Sequence, residues 1–549
     1  MAKGWRWLLP TAAVTGLLLM AACAGAEPTA TPTPTPTKPP AVVATPTPTA
    51  TATPTGPKTG GILRAAMVID PRGMDPMATT GSTDRSFTYD ICDTLVNFDL
   101  KGVADPKISL AESWQISQDG LTYTFKLRKA KFQDGTDVDA EAVKISLDRA
   151  RDKTTGFGYA AQLSAIKAVD VVDPSTVKIT VNAVSAPFLL NLAERGGTAL
   201  SPKALKEKGE KFQAEPVCAG AFQVKDWQPG TFWETKKFQD YWGKPLPYLD
   251  GIKYNVIADG RVRVAALESG GADLAELEAE DANLMAGRPG LNLYRFLGYG
   301  FRGIKWNRAI PPMDDIRVRQ AIVKLVDTEA MNRAIYGGHW KIATGGEIPD
   351  VLWAWTDLSD VRERYKYDPK AAAELIKQTG LSTPIKVKMV SAQATESSLE
   401  AEFLQGMLNN SGLFAVTVDR YTSAENNRLA FEEHSYPLTI TGIGLRVDPD
   451  GMMSITMTSK SFYNLSRDVV DDFQKRLDDL TSQAARTLDQ AERKRLYAEA
   501  QRIQLENLVH TYPQFYRARL YGYRAVVKNS ETMVGADGML RLKDLWLDK

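Results

Sequence analysis

The stretch from Leu110 to Arg149 constrains the fold more than any other part of the chain. Between Leu121 and Leu127 apolar and polar residues alternate, and this period of two is typical of a half-buried β-strand. Asp-Gly pairs on both sides of that run predict turns, because glycine tolerates positive φ. Asp139 stands where it can cap a helix with the apolar face Val143, Leu147 and Ala150. The stretch therefore predicts a β-turn-β-turn-α scaffold unit.

The order of these residues also identifies a family. LAESW, a DG turn, YTFKLR, F-x-DG and an Ala-Glu-x-Val helix together resemble the signature of family 5 extracellular solute-binding proteins. Those proteins are the dipeptide-, oligopeptide- and nickel-type receptors of ABC importers. Other segments resemble the same family, so that the resemblance runs from about residue 60 to the C-terminus: GGILRAAMVID, ICDTLVNFDL, PVCAGAF, ALESGGADLAEL and WNRAIPPMDDIRVRQAIVKLVD.

The resemblance implies an α/β fold of the two-lobed periplasmic-binding-protein type, type II with an extra domain, and a ligand cleft between the lobes. Its first lobe is discontinuous in sequence. The implied core domain of lobe 1 combines residues 60–93, 219–305 and 510–549. Residues 94–218 would form the extra domain of lobe 1, and residues 306–509 would form lobe 2.

Shorter patterns predict individual elements. Asp315 can cap a helix with an apolar stripe, and Gly380 can close the helix that begins near residue 367. The other predicted elements are two strands in 169–181 around an Asp-Pro turn, a strand at 385–390, a helical segment over 468–509, and closing strands at 517–528 and 540–547.

Residues 1–22 have the pattern of a signal peptide. Lys3 and Arg6 form a charged start, and the apolar run from Leu8 to Met20 is too short for a bilayer-spanning helix, which needs about 20 residues. Small residues directly before Cys23 resemble a bacterial lipobox, with Met20 in place of the usual leucine. The resemblance implies that Cys23 carries a lipid. The alternative is an ordinary secretory signal with a chance cysteine.

Residues 23–59 are predicted to be a linker rather than a domain. The Thr/Pro/Ala repeat in 28–57 cannot bury a core and favours extended polyproline II. About 30 such residues span roughly 90 Å, which would hold the folded body away from a lipid surface.

Two further cysteines, Cys92 and Cys218, remain after Cys23 is assigned to the lipid. An even number in an exported chain suggests a disulfide between them. Two unrelated buried thiols are the alternative.

Charge and motifs exclude several functions. The formal net charge of +1 gives no footprint for nucleic acid. The three histidines, His339, His434 and His510, lack metal-ligand spacing, and we find no nucleotide-binding or nucleophile motif. We therefore expect neither an enzyme, nor a metal site, nor a cofactor.

A binding site needs aromatic walls and a few aimed polar groups. One candidate stretch, Leu297–Trp306, lies near the expected crossover between the lobes and offers Tyr299, Phe301 and Arg302. Arg302 stands where relatives commonly have an uncharged residue, so its charge needs a partner. A second stretch offers Trp353 and Trp355. Core packing is the alternative for these aromatic residues.

The third candidate stretch runs from Thr441 to Met453. It resembles a family loop in which an early aspartate binds the α-amino group of a peptide. When Asp448 is aligned with the later Asp of that loop, the amine-binding position is Leu445, followed by Arg446. This change argues against a free peptide amine and is compatible with an anionic or neutral polar ligand, because guanidinium suits carboxylates. The alternative is that Arg446 pairs internally with Asp448 or Asp450.

Together these observations predict a monomeric, lipid-anchored, extracytoplasmic receptor that delivers a small solute to ABC permease subunits. Peptides are the default ligand that the resemblance implies, with organic acids and sugars as alternatives. A surface sensor or scaffold lipoprotein with the same fold, or a binder of oligosaccharide, remains open.

Overall fold

One large β-sheet and its flanking helices organise the chain. The computed structural model describes residues 56–78, 82–152, 155 and 160–549. The strands are β1 Ile62–Met67, β2 Ala111–Ile116, β3 Thr122–Leu127, β4 Ile166–Asp173, β5 Thr176–Val181, β6 Phe222–Gln228, β7 Phe232–Lys237, β8 Gly251–Val256, β9 Leu274–Leu277, β10 Leu291–Trp306, β11 Lys341–Ile342, β12 Ile385–Ala392, β13 Phe414–Tyr421, β14 Leu438–Ile443, β15 Thr511–Arg524, β16 Val527–Lys528 and β17 Trp546–Leu547.

Fifteen α-helices accompany the strands in the described residues. They are α1 Ser82–Ile91, α2 Ala140–Arg151, α3 Phe188–Asn191, α4 Pro202–Lys208, α5 Gly260–Ser269, α6 Ala279–Met285, α7 Ile316–Lys324, α8 Thr328–Tyr336, α9 Ser359–Glu363, α10 Pro369–Thr379, α11 Thr395–Asn410, α12 Ser423–Asn427, α13 Asp450–Thr456, α14 Asp472–Arg486 and α15 Gln490–Glu506. The predicted α/β class is confirmed.

The main sheet has 11 strands in the order β13-β12-β14-β10-β15-β9-β1-β8-β7-β6, with β11 paired to β15. Strands β1, β8 and β9 are parallel to one another, and so are β12, β13 and β14. The long antiparallel strands β10 and β15 lie between these two groups. They therefore join two halves of one sheet.

The two largest hydrophobic cores of the described residues lie on this sheet, and we name the two lobes after them. Lobe 1 contains β1 and β6–β9, with the separate four-stranded sheet β2-β3-β5-β4 packed onto the same core. Lobe 2 contains β12–β14 and α7–α11, around a core that includes Trp306, Ile322 and Met389. Helices α13–α15 contribute Met452, Leu480 and Tyr497 to the core of lobe 1.

The unit predicted from Leu110 to Arg149 is confirmed as β2, β3 and α2. The carboxylate of Asp139 accepts a hydrogen bond from the backbone N–H of Ala142 at 2.8 Å and so caps α2. The predicted apolar face is buried against lobe 1: Val143, Leu147 and Ala150.

Most of the other predicted elements are also present. Asp315 caps α7, Gly380 ends α10 in the left-handed conformation, and β4 and β5 flank the Asp-Pro turn. The segment 468–509 differs, because it contains two helices and Asp489 caps the second one. The closing strand β15 begins earlier than predicted, at Thr511, and only Trp546–Leu547 of the last predicted strand pairs.

The predicted signal peptide, Cys23 and the linker up to residue 55 lie outside the described residues. In lobe 1, Cys92 and Cys218 form a disulfide with a Cα–Cα distance of 4.8 Å. Among the described helices, none is both long enough and apolar enough to cross a bilayer.

Candidate functional site

A bulge in β10 lies where the two lobes meet. Leu297 pairs with Ala518 of β15, but the next paired residue of β10, Phe301, faces Tyr516, so β10 contains two extra residues here. Gly298 and Gly300 adopt φ of +101° and +89° on either side of Tyr299. A Cβ at Gly300 would overlap the carbonyl oxygen of Ile443. Glycine at this position therefore permits close contact between the bulge and the end of β14.

Beside the bulge, a cavity of about 660 Å³ lies between the lobes. Lobe 1 contributes the turn from Glu276 to Asp281, which joins β9 to α6. Lobe 2 contributes the end of α8, Trp340 and the first turn of α11. Tyr299 and the β15 segment 517–520 form the floor. This volume lies within the range of about 300–1,000 Å³ that is usual for small-molecule sites.

The cavity lies at the carboxyl ends of parallel strands. Val68 follows β1, Glu278 follows β9, and Ala394 follows β12, and all three residues line the cavity. In open α/β sheets, the crevice outside the carboxyl ends of the strands is the usual place for a ligand. Both the position of the cavity in the topology and its volume are therefore typical of a ligand-binding site.

Aromatic rings and arginines form the floor. The guanidinium carbon of Arg517 lies 5.4 Å from the ring centre of Tyr299 and 5.6 Å from that of Trp340. Arg519 lies 4.1 Å from the same Tyr299 ring. Trp340 is stacked on Tyr336 with a centroid distance of 3.6 Å. Such cation–π contacts hold the arginines and the rings in fixed relative positions.

Arg302, one β10 residue beyond Phe301, belongs to a buried ion network behind the floor. Its Nε donates to Glu400 at 2.6 Å and its Nη1 donates to Glu396 at 3.1 Å. Tyr336 also donates to Glu400. Burial opposes the charge of Arg302, but Glu400 and Glu396 raise its pKa above the ordinary value. The charge of Arg302 is therefore balanced by the protein's own carboxylates, Glu400 and Glu396, rather than by a ligand.

A second buried arginine shapes the lobe 1 side. Arg263 donates to Asp281 at 2.7 Å, to the carbonyl oxygen of Glu276 at 2.7 Å, and to two carbonyl groups that precede α5. Asp281 accepts the backbone N–H of Glu278 at 3.1 Å. These bonds fix the turn from Glu276 to Asp281 with the Glu278 side chain on the cavity side.

Burial and neighbouring negative charges disfavour ionisation of the Glu278 carboxyl group. Its side chain is exposed to the cavity, although protein surrounds it on most sides. Burial raises its pKa, and the neighbouring Glu276 and Glu396 raise it further. Glu396 belongs to lobe 2, so this repulsion acts across the cavity.

The loop after β14 is organised differently. Asp448 is buried and accepts two hydrogen bonds from Arg493, at 2.6 and 3.1 Å. Trp353 packs against this pair, 5.2 Å from the Arg493 guanidinium carbon. Burial, followed by the charge of Asp448, raises the pKa of Asp450 to about 7. Arg493 is thus one partner of Asp448. The alternative that Arg446 pairs internally with Asp448 or Asp450 stays a prediction.

Of the residues predicted from the sequence as ligand contacts, Tyr299 lines the cavity. Phe301 and Leu445 are buried in the lobe 1 core, with Trp353 and Trp355 packed against it. Arg446 is half-buried and donates to the Leu445 carbonyl oxygen at 3.2 Å. Sequence reasoning missed Glu278, Arg517 and Arg519. The available signal was the acidic run ELEAED at the end of a strand, and two arginines two residues apart on one strand face.

The histidines do not form a site. His339 hydrogen-bonds Asn283, and His434 hydrogen-bonds the Leu465 carbonyl oxygen. Burial lowers the pKa of His510 well below its ordinary value, which keeps it neutral. In the part of the chain that the structure describes, no group of three or more His, Cys, Asp or Glu side chains could hold a metal ion.

Sequence comparison finds a family and individual relatives. A family model described as bacterial extracellular solute-binding proteins, family 5 Middle, matches residues 105–464. The glutathione-binding protein GsiB of Escherichia coli K12 is 31% identical over 401 residues, which cover 72% of this chain and 77% of GsiB.

Solved structures are similar over nearly the whole chain. DppA from Helicobacter pylori, in complex with the peptide STSA, is 25% identical with a TM-score of 0.72, covering 90% of this chain and 99% of DppA. AgaA from A. tumefaciens R10, in complex with agropinic acid, is 27% identical with a TM-score of 0.71, covering 89% and 99%.

Proposed function

Because the chain belongs to the family 5 bacterial extracellular solute-binding proteins, we propose that it is the lipid-anchored substrate receptor of an ABC importer. Proteins of this family are extracytoplasmic transport receptors rather than enzymes; they bind small ligands such as peptides and work with ABC permeases. The two-lobed, type II periplasmic-binding-protein fold that the sequence predicts is confirmed. The receptor captures a small polar solute and hands it to the permease.

The cavity between the lobes is the observation that carries this proposal. Both lobes contribute side chains to it, and both crossing strands form its floor. A ligand that contacts both lobes shifts the population towards the closed form, because it binds that form more tightly. The bulge at Gly298–Gly300 is the proposed bending point in β10, and no catalytic step is needed.

We further propose the lobe boundaries that the resemblance implies. The core of lobe 1 is 60–93 with 219–305 and 510–549, its extra domain is 94–218, and lobe 2 is 306–509. In the described structure the four-stranded sheet falls within 111–181, and β12–β14 fall within 385–443, which supports these limits. Helices α13–α15 pack on the core of lobe 1, which counts against including 450–506 in lobe 2.

The anchor is proposed from the sequence. Residues 1–22 direct export, Cys23 carries the lipid, and the linker up to residue 59 tethers a monomeric body to the membrane. Expression of the full chain with Cys23→Ala tests this point. We expect the wild-type protein to sediment with membranes and the variant to be released. Equal membrane retention of both would contradict lipidation.

Cavity binding is tested by blocking the cavity. Ala394 is exposed on the cavity wall, and a tryptophan there reaches into the space without entering a core. A thermal-shift screen with peptides, organic acids and sugars identifies a binder, which raises Tm by mass action. Ala394→Trp is expected to abolish that shift, whereas Ala424→Trp, exposed on α12, keeps it. An equal shift in Ala394→Trp would place the ligand elsewhere.

The remaining residues predicted from the sequence stay proposals. A ligand that extends past Tyr299 towards the end of β14 would approach Leu445 and Arg446, because the bulge packs on that loop. Phe301, Arg302, Trp353, Trp355 and Asp448 would then act by positioning their neighbours.

A further inference from the structure

The charges that line the cavity do not balance. Five carboxylates and three arginines line it, so acids exceed bases by two: Glu276, Glu278, Glu280, Asp281, Glu396, Arg263, Arg517 and Arg519. The buried pair of Arg302 and Glu400, just behind the floor, adds no net charge. Electrostatics in this space therefore favours a cation.

Three of the five carboxylates are already neutralised by arginines. Asp281 pairs with Arg263 at 2.7 Å, and Glu276 pairs with Arg519 at 3.5 Å. Glu396 is shared between Arg302 at 3.1 Å and Arg517 at 3.5 Å. These pairs also occupy the three arginines of the cavity, so they leave no surplus positive charge for an anionic ligand.

Glu278 and Glu280 hold the remaining negative charge. Neither forms an ion pair with a lysine or arginine of the described chain. Glu280 is exposed on α6, whereas Glu278 faces Glu276 on β9, Asp281 on α6 and Glu396 on α11, with Arg263 of α5 as the nearby opposite charge. A cation beside Glu278 would balance the charge of Glu278 itself and the residual repulsion from these neighbouring carboxylates, whose own charges are paired with arginines.

The other surfaces of the cavity suit an organic cation better than a hydrated metal ion. Tyr299, Tyr336 and Trp340 provide flat rings, and Leu399 and Ile335 provide apolar contact. Aromatic faces attract ammonium and guanidinium groups and pack against their carbon chains. In the described part of the chain there is also no group of three or more His, Cys, Asp or Glu side chains that could hold a metal ion.

We propose that the cavity selects solutes with a net positive charge and that Glu278 binds their ammonium or guanidinium group. This inference rests on the proposed function, because it assumes that the cavity is the solute site. It assigns the charge discrimination to the turn after β9, in lobe 1. The ligand charge is then opposite to the one that Arg446 suggested.

Matched peptide probes test the inference. Ala-Lys-Ala, the same peptide with Nε-acetyl-lysine, and Ala-Glu-Ala have similar size and differ in the side-chain charge. Isothermal titration of the full chain is expected to show at least about tenfold tighter binding of Ala-Lys-Ala than of the other two, a difference of about 1.4 kcal/mol. Glu278→Gln should remove most of that preference.

Glu207→Gln is the matched control, because Glu207 is exposed on α4 and its loss changes the net charge equally, away from the cavity. The control should keep the preference for lysine. Unchanged preference in Glu278→Gln, or no binding of Ala-Lys-Ala at millimolar concentration, would overturn the inference. Tight binding of Ala-Glu-Ala that Ala394→Trp abolishes would also overturn it, while leaving the proposed function intact.

Discussion

The turn between β9 and α6 and the loop between β14 and α13 are built from similar residues but are completed differently. Each follows the carboxyl end of a strand in the main sheet and contains several carboxylates. In the loop, Asp448 is buried and accepts two hydrogen bonds from Arg493. In the turn, Glu278 faces the cavity with no ion-pair partner in the described chain.

This difference separates structural charges from recognition charges. A buried pair with both partners present contributes mainly to a unique packing, and it becomes costly only when one partner is lost. A carboxylate that faces a cavity without a partner costs free energy in the empty protein and gains it back from a ligand. The loop should therefore govern stability, and the turn should govern affinity.

The largest expected effect is on the loop. Asp448→Asn leaves the buried Arg493 charge uncompensated, so the free energy of unfolding should fall by about 3–5 kcal/mol. Urea unfolding measures this change in the free energy of unfolding. Asp472→Asn is the control, because that side chain is fully exposed and should change stability by less than about 0.5 kcal/mol. A loss below about 1 kcal/mol in Asp448→Asn would remove the distinction between the two regions.

Gly300→Ala tests the bulge in β10, which contacts the start of the loop and carries Tyr299, a lining residue of the cavity. A Cβ there overlaps the Ile443 carbonyl oxygen, and the φ of +89° is strained for alanine. Overpacking and backbone strain of about 1–3 kcal/mol each predict a loss of about 3 kcal/mol in stability, together with weaker ligand binding through displaced Tyr299.

The control for Gly300→Ala is Gly412→Ala, which has a positive φ of +71° but open space around its Cβ position. It should lose only about 1 kcal/mol, from backbone strain alone. Equal losses in the two variants would show that the contact between the bulge and the end of β14 is not tight.

The pH dependence of affinity gives the third effect. A bound cation stabilises the ionised form of Glu278, whose pKa in the empty protein is raised by burial, Glu276 and Glu396. Affinity for Ala-Lys-Ala should therefore be highest above that raised pKa and fall, up to about tenfold per pH unit, as acidification protonates Glu278. Titration calorimetry across the acid range measures it, and Glu278→Gln should flatten the profile.

Asp450 is the contrasting group in the loop. Its pKa is raised to about 7 in the folded protein from an ordinary value of 3.8, so its contribution to stability is fully present below about pH 4 and is lost as pH rises through about 7. Asp450→Asn should remove that stability change and leave the pH profile of affinity unchanged. A shifted affinity profile would mean that the two regions are coupled.

The smallest expected effect belongs to Arg446→Ala. Arg446 is half-buried and stands beyond the cavity lining, so we expect a loss of affinity below about threefold and a stability change within about 0.5 kcal/mol. Calorimetry with the same probe measures the affinity. A loss above tenfold would move the centre of recognition from the turn to the loop.

Local chemistry explains what could be predicted from the sequence. The alternation in β3, the Asp139 cap and the glycine that ends α10 each depend on residues a few positions apart. The same holds for the helix that Asp315 caps. Such signals need no knowledge of the tertiary structure.

The contacts in the candidate site could not be predicted in this way, because they join residues that are far apart in the sequence. Arg302 and Glu400 are 98 positions apart, and Arg493 and Asp448 are 45 apart, so neither partner could be recognised from spacing. The doubled tryptophan at 353 and 355 packs on a core that forms only in the folded chain. The Glu278 carboxylate accepts the backbone N–H of Asp281 in the capping box of α6. Its lack of an ion-pair partner among the described residues is visible only when all its neighbours are in place.

The path of the chain through lobe 1 has a consequence for how the protein is made. β1 lies between β8 and β9, and β9 pairs with β15 near the C-terminus; Lys58 and Asp548 also form an ion pair at 2.6 Å. The segment from α7 to β14, by contrast, is continuous. Contacts between distant residues form slowly. Most of lobe 2 should therefore reach its native packing first, before Leu505, Leu508, Tyr512 and Phe515 complete its core.

Until the last 40 or so residues arrive, β9 lacks its partner on one side, and an unpaired strand edge invites pairing with other chains. We expect pulsed hydrogen exchange during refolding to protect β12–β14 before β1 and β9. Simultaneous protection of both groups would contradict this order. Chains that end prematurely would then be prone to aggregate, which gives the extreme C-terminus an importance that its distance from the cavity does not suggest.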